Sequence, residues 1–189
     1  MRCELGSFGL LFLAGLMAPS MSSAADDGAP KDIFSRAASA YDNVSPALLY
    51  AVASQESRRP IGRGEAAPWP WTLNSSLHGP QYFATRQDAE EALLELLSLD
   101  PTPNVDIGLL QVSWRWHGHR VDEPTDLLEP LVSAQVGAAI LSEARQSTEE
   151  VLLGVGRYHH WADPWIARRY GAEVLSLQRR LPRGLFHDG

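Results

Sequence analysis

The sequence predicts a mainly α-helical single domain that carries one small β-hairpin. Three observations predict it. Helix start signals of the Ser-Pro and Asp-Pro type recur along the chain, apolar residues recur at helical spacing between them, and a single stretch is rich in aromatic and β-branched residues. A chain of 189 residues fits one compact core, and a second full domain is not expected.

Residues 25–31 are small, polar and proline-containing and read as a flexible leader. Asp32 then caps a short helix to about Tyr41. Ser45-Pro46 places a hydroxyl at an N-cap and proline at the first helical position, so a second helix covers 47–57 and ends at Arg58-Arg59-Pro60 and Gly62. Trp69, Trp71 and Thr72 on one side of a turn-rich segment, and Gln81-Tyr82-Phe83 on the other, predict the hairpin. Thr85 followed by Asp88 resembles a capping box. Ala89, Leu93, Leu96 and Leu97 share a face of the helix that follows, and Asp100-Pro101-Thr102-Pro103 breaks it after Leu99. Three more helices are expected at 131–144, at 149–158, and from Asp163-Pro164 to about Arg180. Residues 32–182 make up the domain and 183–189 a tail. There is no repeat and no heptad pattern.

The formal charge of -7 is interspersed rather than blocked, so no basic stripe is present to follow a phosphate backbone, and nucleic acid is not an expected ligand. Residues 1–24 read as a signal peptide. Arg2 opens a short basic region, residues 8–17 are an apolar run too short to span a bilayer, and Ser22 and Ala24, or Ser23 and Ala25, fit a cleavage site. Export is therefore expected, with no membrane insertion after cleavage. The only cysteine, Cys3, lies inside that segment, so the mature chain has no thiol for a disulfide, a metal or nucleophilic catalysis. An apolar content of 44% is adequate for a core without disulfides.

Glu56 is the acid that stands out. In a helix from Pro46, positions 49, 52 or 53, and 56 share a face, so its carboxyl points the same way as Leu49 and Val52. Burial raises a carboxyl pKa, and the negative end of the helix dipole acts in the same direction. A surface position on the last turn is equally compatible with the periodicity. A second group is Gly108-Leu109-Leu110-Gln111, where glycine permits close backbone approach and the amide can both donate to and accept from a sugar. Its plainer reading is a buried strand or turn beside a hairpin. A third is Gly156-Arg157-Tyr158-His159, in which Tyr158 could bond the acid or stack on a sugar ring; alone it is an ordinary helix end.

In order, Ser45-Pro46-Ala47-Leu48-Leu49, Glu56-Ser57, Gly108-Leu109-Leu110-Gln111, the aliphatic helix around Val136 to Leu141, Gly156-Arg157-Tyr158 and Arg169-Tyr170-Gly171-Ala172-Glu173-Val174 resemble the soluble lytic transglycosylase and goose-type lysozyme family across residues 33–181. The resemblance implies a lysozyme-like fold and cleavage of peptidoglycan glycan strands, in a periplasmic monomer without cofactor or metal. It implies Glu56 as the catalytic residue and Ser57, Gly108, Leu110, Gln111, Tyr158 and His159 as substrate-binding or orienting residues. Leu110 stands where the family has methionine, a volume-conserving change. Two departures are similar to a branch that accompanies conjugation, type IV secretion or pilus complexes: Tyr158-His159 in place of Tyr-Asn, and a long segment between Arg58 and Asp106. The family mechanism gives Glu56 both proton steps and a 1,6-anhydromuramic product. A hydrolytic muramidase with Asp106 or Glu65 as a second acid stays open. So does a glycan-binding assembly factor without turnover. A metal site on His117, His119, His159 and His160 is disfavoured by the lack of an HExxH helix.

Overall fold

The computed structural model describes residues 32–62, 64–99 and 104–186. The predicted signal peptide with Cys3, the leader, the Asp100-Pro101-Thr102-Pro103 breaker and the last three tail residues lie outside them. Within the described residues the chain is mainly helical with a small antiparallel β-element, as the sequence predicts.

Seven α-helices are present there: α1 Asp32–Ala38, α2 Pro46–Ser57, α3 Arg86–Leu99, α4 Trp114–His117, α5 Pro130–Gln146, α6 Val151–Gly156 and α7 Pro164–Arg180. The start signals act as expected. Ser45 Oγ accepts the Leu48 N–H at 3.2 Å, Thr85 Oγ1 accepts from Asp88 N at 3.1 Å, and Asp163 Oδ1 accepts from Trp165 N at 2.8 Å. Each bond satisfies a backbone donor that a helix start leaves free. Helix α2 is the centre of the packing, with Leu49, Ala51, Val52 and Ala53 fully buried among α1, α5 and α7.

Among the described residues six short strands make two antiparallel units. β1 Arg58–Gly62 pairs with β2 Glu65–Pro68, and a sheet of order β4-β3-β5-β6 combines Thr72–Ser75 (β3), Gly79–Tyr82 (β4), Val105–Ile107 (β5) and Val112–Ser113 (β6). The predicted hairpin is β3-β4, with Thr72 opposite Tyr82. Trp69 and Trp71 precede it instead of belonging to it, and Trp69 is buried with its indole N–H donating to Phe83 O at 2.7 Å. The β-element is larger than the sequence predicts, because β5 returns after α3 to pair with β3 and brings Asp106 opposite Asn74. That pairing joins residues more than thirty positions apart, so local pattern carries no sign of it. The β1-β2 hairpin starts where the sequence shows only helix-ending residues.

Several helices depart from expectation. α1 stops at Ala38 rather than near Tyr41, whose N–H bonds back to Ala38 O in a turn. The helix expected at 149–158 is shorter, Val151–Gly156, since the chain turns through 157–159 to reach α7. Residues 114–128, given no element from sequence, form α4 and two short 3-10 turns, Gly118–Arg120 and Pro124–Leu128.

Candidate active site

The sheet, the end of α2 and the turn after α6 enclose a cleft of about 990 Å³. Glu56 reaches it from the last turn of α2, on the face that buries Leu49 and Val52. Loss of water around this carboxyl pushes its pKa up to about 7; a hydrogen bond from Tyr170 works against the rise, and the nearby Asp106 carboxylate adds to it. Tyr170 Oη donates to Glu56 Oε1. At neutral pH a substantial share of Glu56 therefore carries a proton it can give, and the ionised form has a donor waiting for it.

The Gly108 to Gln111 turn forms part of the wall behind it. Gly108 has φ +77°, and a Cβ there would lie 2.0 Å from Leu127 O, so only glycine fits the position. Gln111 takes φ 44°, a left-handed conformation uncommon for a residue with a side chain. Its amide Nε2 donates to Gly108 O at 2.8 Å and to Thr72 O at 3.1 Å. With both donors directed at backbone, its Oε1 is the group left for a ligand in the cleft.

The predicted residues divide into two sets. Glu56, Gln111, Tyr158 and His159 border the cleft. Ser57, Gly108 and Leu110 do not: all three are buried, and they shape the wall from behind. Ser57 corrects the substrate-contact expectation most clearly. Its hydroxyl has no exposed surface; it donates toward Leu109 O (2.7 Å) and Ala53 O (3.1 Å) and accepts from Trp69 N (3.2 Å), so it fastens the end of α2 to the Gln111 turn. Leu110 packs against the Gly137 position of α5. The expectation that Tyr158 bonds the acid also changes: its hydroxyl donates to Leu110 O at 2.7 Å, and Tyr170 is the phenol that reaches Glu56.

Sequence reasoning assigns Tyr170 no role of its own, yet a signal for one exists. It lies on the apolar face of α7 with Ala167, Gly171 and Val174, a polar hydroxyl placed where only a buried partner can satisfy it. His159 stacks flat on its ring, with centroids 4.8 Å apart and planes within 6°. Loss of hydration there, and the neighbouring His160, lower the imidazole pKa, which keeps His159 neutral near pH 7. Behind this pair a second hollow of about 180 Å³ also borders Glu56 and His159.

Of the two acids weighed as partners, Asp106 lines the cleft and Glu65 sits exposed on β2. Burial raises the Asp106 pKa, and hydrogen bonds from Asn74 Nδ2 (3.4 Å) and Ser113 oppose the rise. His117 borders the cleft while His119 does not. Among the described residues no group of three or more His, Cys, Asp or Glu side chains is placed to hold a metal ion.

Tyr170→Phe tests the arrangement directly. The Tyr170 bond holds the Glu56 pKa down, so its removal is expected to move that pKa further above 7, read by carbon-13 NMR titration of the carboxyl. An unchanged or lowered value would show that the two side chains do not meet in solution.

Compared with family models, curated proteins and solved structures, the chain matches none.

Proposed function

We propose that this protein is an exported, lysozyme-like lytic transglycosylase that cleaves the bond between N-acetylmuramic acid and N-acetylglucosamine in peptidoglycan. The observation that carries this reading is Glu56: a carboxyl with a pKa of about 7, supplied with a hydrogen-bond donor, in a cleft at the upper end of ligand-site volumes, which run to about 1,000 Å³. Gln111 supports it, because a fixed amide with a free Oε1 suits the N–H of an acetamido group.

The proposed chemistry is the one that the family resemblance implies. Protonated Glu56 gives its proton to the bridging oxygen, the C1–O bond breaks, and positive charge grows at C1. The ionised carboxylate is then stabilised by the Tyr170 O–H. It takes the proton from the muramic acid C6 hydroxyl as that oxygen bonds C1, which closes the 1,6-anhydro ring and restores protonated Glu56. One residue acts as acid and then base, which a pKa near the working pH allows.

One observation favours a second reading. Asp106 borders the same cleft, close enough to raise the Glu56 pKa, and a second acid that stayed ionised could activate water for hydrolysis. Mass analysis of soluble products from purified peptidoglycan separates the two. Anhydromuropeptides are expected, lighter by one water than hydrolytic products. Reducing muramic ends would favour hydrolysis and make Asp106→Asn the decisive variant.

A further inference from the structure

The walls of the cleft are unevenly charged. Glu56, Asp106 and Glu143 are three carboxyl groups on it, and among the described residues Arg157 is the one Lys or Arg that lines it. Glu143 is already matched from outside the cleft, by two bonds from Arg120 at 2.9 and 2.7 Å. Arg157 is different. Among the described residues it forms no ion pair, although its head is firmly placed. Its Nη1 donates to Ser147 O at 3.0 Å and to Ser147 Oγ at 2.7 Å, and its Cζ sits 5.3 Å from the centre of the Trp161 ring.

The opposite edge of this guanidinium is unused. Nε is buried and has no acceptor, and Nη2 makes no hydrogen bond among the described residues. Nε is closed off from solvent, so Nη2 is the donor left with which the guanidinium charge can hold a carboxylate. Trp161 is 58% exposed and also borders the cleft, so it adds an apolar plate beside the charge. Arg157 directly precedes Tyr158 and His159, which places this corner in the same wall as the residues around Glu56.

We infer that the Arg157-Trp161 corner is a carboxylate-binding subsite that holds the acidic substituent of a muramic acid unit. The inference rests on the peptidoglycan reading and deepens it. The sugar backbone of such a strand is uncharged, and its carboxylates sit on the lactyl group or on the peptide attached to it. With Glu143 already paired to Arg120 and Glu56 protonated when it acts, no other wall of the cleft attracts such a substituent, while the unpaired Arg157 does. The corner therefore fixes where a muramic acid unit lies, and with it the direction in which the strand runs past Glu56.

Binding of soluble glycan strands, measured with Glu56→Gln protein so that nothing is cleaved, tests this. Three strands are compared: intact; amidase-stripped, which keeps only the lactyl carboxylate; and chemically amidated, which has no free carboxylate. Intact strands are expected to bind at least about tenfold more tightly than amidated ones, with the difference fading at high salt. Adding Arg157→Gln should abolish that difference. Stripped strands that bind as well as intact ones identify the lactyl group as the anion, and weak binding of stripped strands identifies the peptide. Equal binding of intact and amidated strands, or a difference that Arg157→Gln leaves in place, overturns the subsite while the peptidoglycan reading stands. If no strand binds, that reading falls and the subsite with it. Should Arg157→Gln fail to fold, the salt dependence of the parent protein decides: equal dependence for intact and amidated strands overturns the subsite.

Discussion

Glu56→Gln is expected to lower the rate of peptidoglycan cleavage by at least about 10²-fold to 10⁴-fold while the protein stays folded. Glutamine keeps the size of the side chain and can still accept from Tyr170, but it cannot give up a proton and recover it. Both steps of the proposed reaction are then lost together. Release of soluble muropeptides at equal protein concentration measures the effect, and equal release by the two proteins would remove Glu56 from the mechanism. The same substitution carries a stability prediction of definite sign. The Glu56 pKa rises from its usual 4.5 to about 7 on folding, so the folded state binds this proton more tightly than the unfolded chain does. Its stabilising contribution is complete below about pH 4.5 and is lost as pH rises through about 7. Gln does not titrate. Relative to the parent, Glu56→Gln should gain stability between those values, by up to about 3 kcal/mol at pH 8 and above, and the gain should vanish in acid. Denaturant unfolding at pH 5 and pH 8 reads it.

Gly156→Ala is expected to have the largest effect on stability. α6 and α7 meet backbone to backbone at this point, and a Cβ on Gly156 would lie 1.7 Å from Ala167 O and 2.2 Å from its carbonyl carbon. No side chain is available to rotate away, so one helix has to move. Overpacking commonly costs about 1–3 kcal/mol, and a clash with backbone belongs at or above the upper end. The displacement also reaches the site. Ala167 is three residues from Tyr170 on the buried face of α7, and Gly156 immediately precedes Arg157, Tyr158 and His159. Loss of activity should therefore accompany a lowered melting temperature, and wild-type stability in Gly156→Ala would show that the helices are less closely packed than described.

Much of this was legible in the sequence because its causes are local. Ser45 before Pro46, Asp163 before Pro164 and Thr85 three places before Asp88 specify helix starts within a few residues, and each is used as a cap. The spacing of Leu49, Val52 and Glu56 lines an acid up with an apolar face, and the packing around the last turn decides between that face and the surface. Gly108 permits a close backbone approach, and Leu127 O lies 2.0 Å from where its Cβ would be.

Other features depend on residues brought together from distant parts of the chain. Sequence alone determined a mainly helical domain with a small β-element and the helix that carries Glu56, since helix periodicity and capping act over one to three turns. Tertiary structure decided which groups surround that carboxyl. Tyr170 comes from 114 residues away, Asp106 arrives through strand pairing with β3, and Ser57 is turned inward by Leu109, 52 residues on. The pKa of Glu56 belongs to the second category as well: a helix position can point a carboxyl at the core, but only the packing of α7 and the sheet around it sets how much water it loses and which charges and donors it meets.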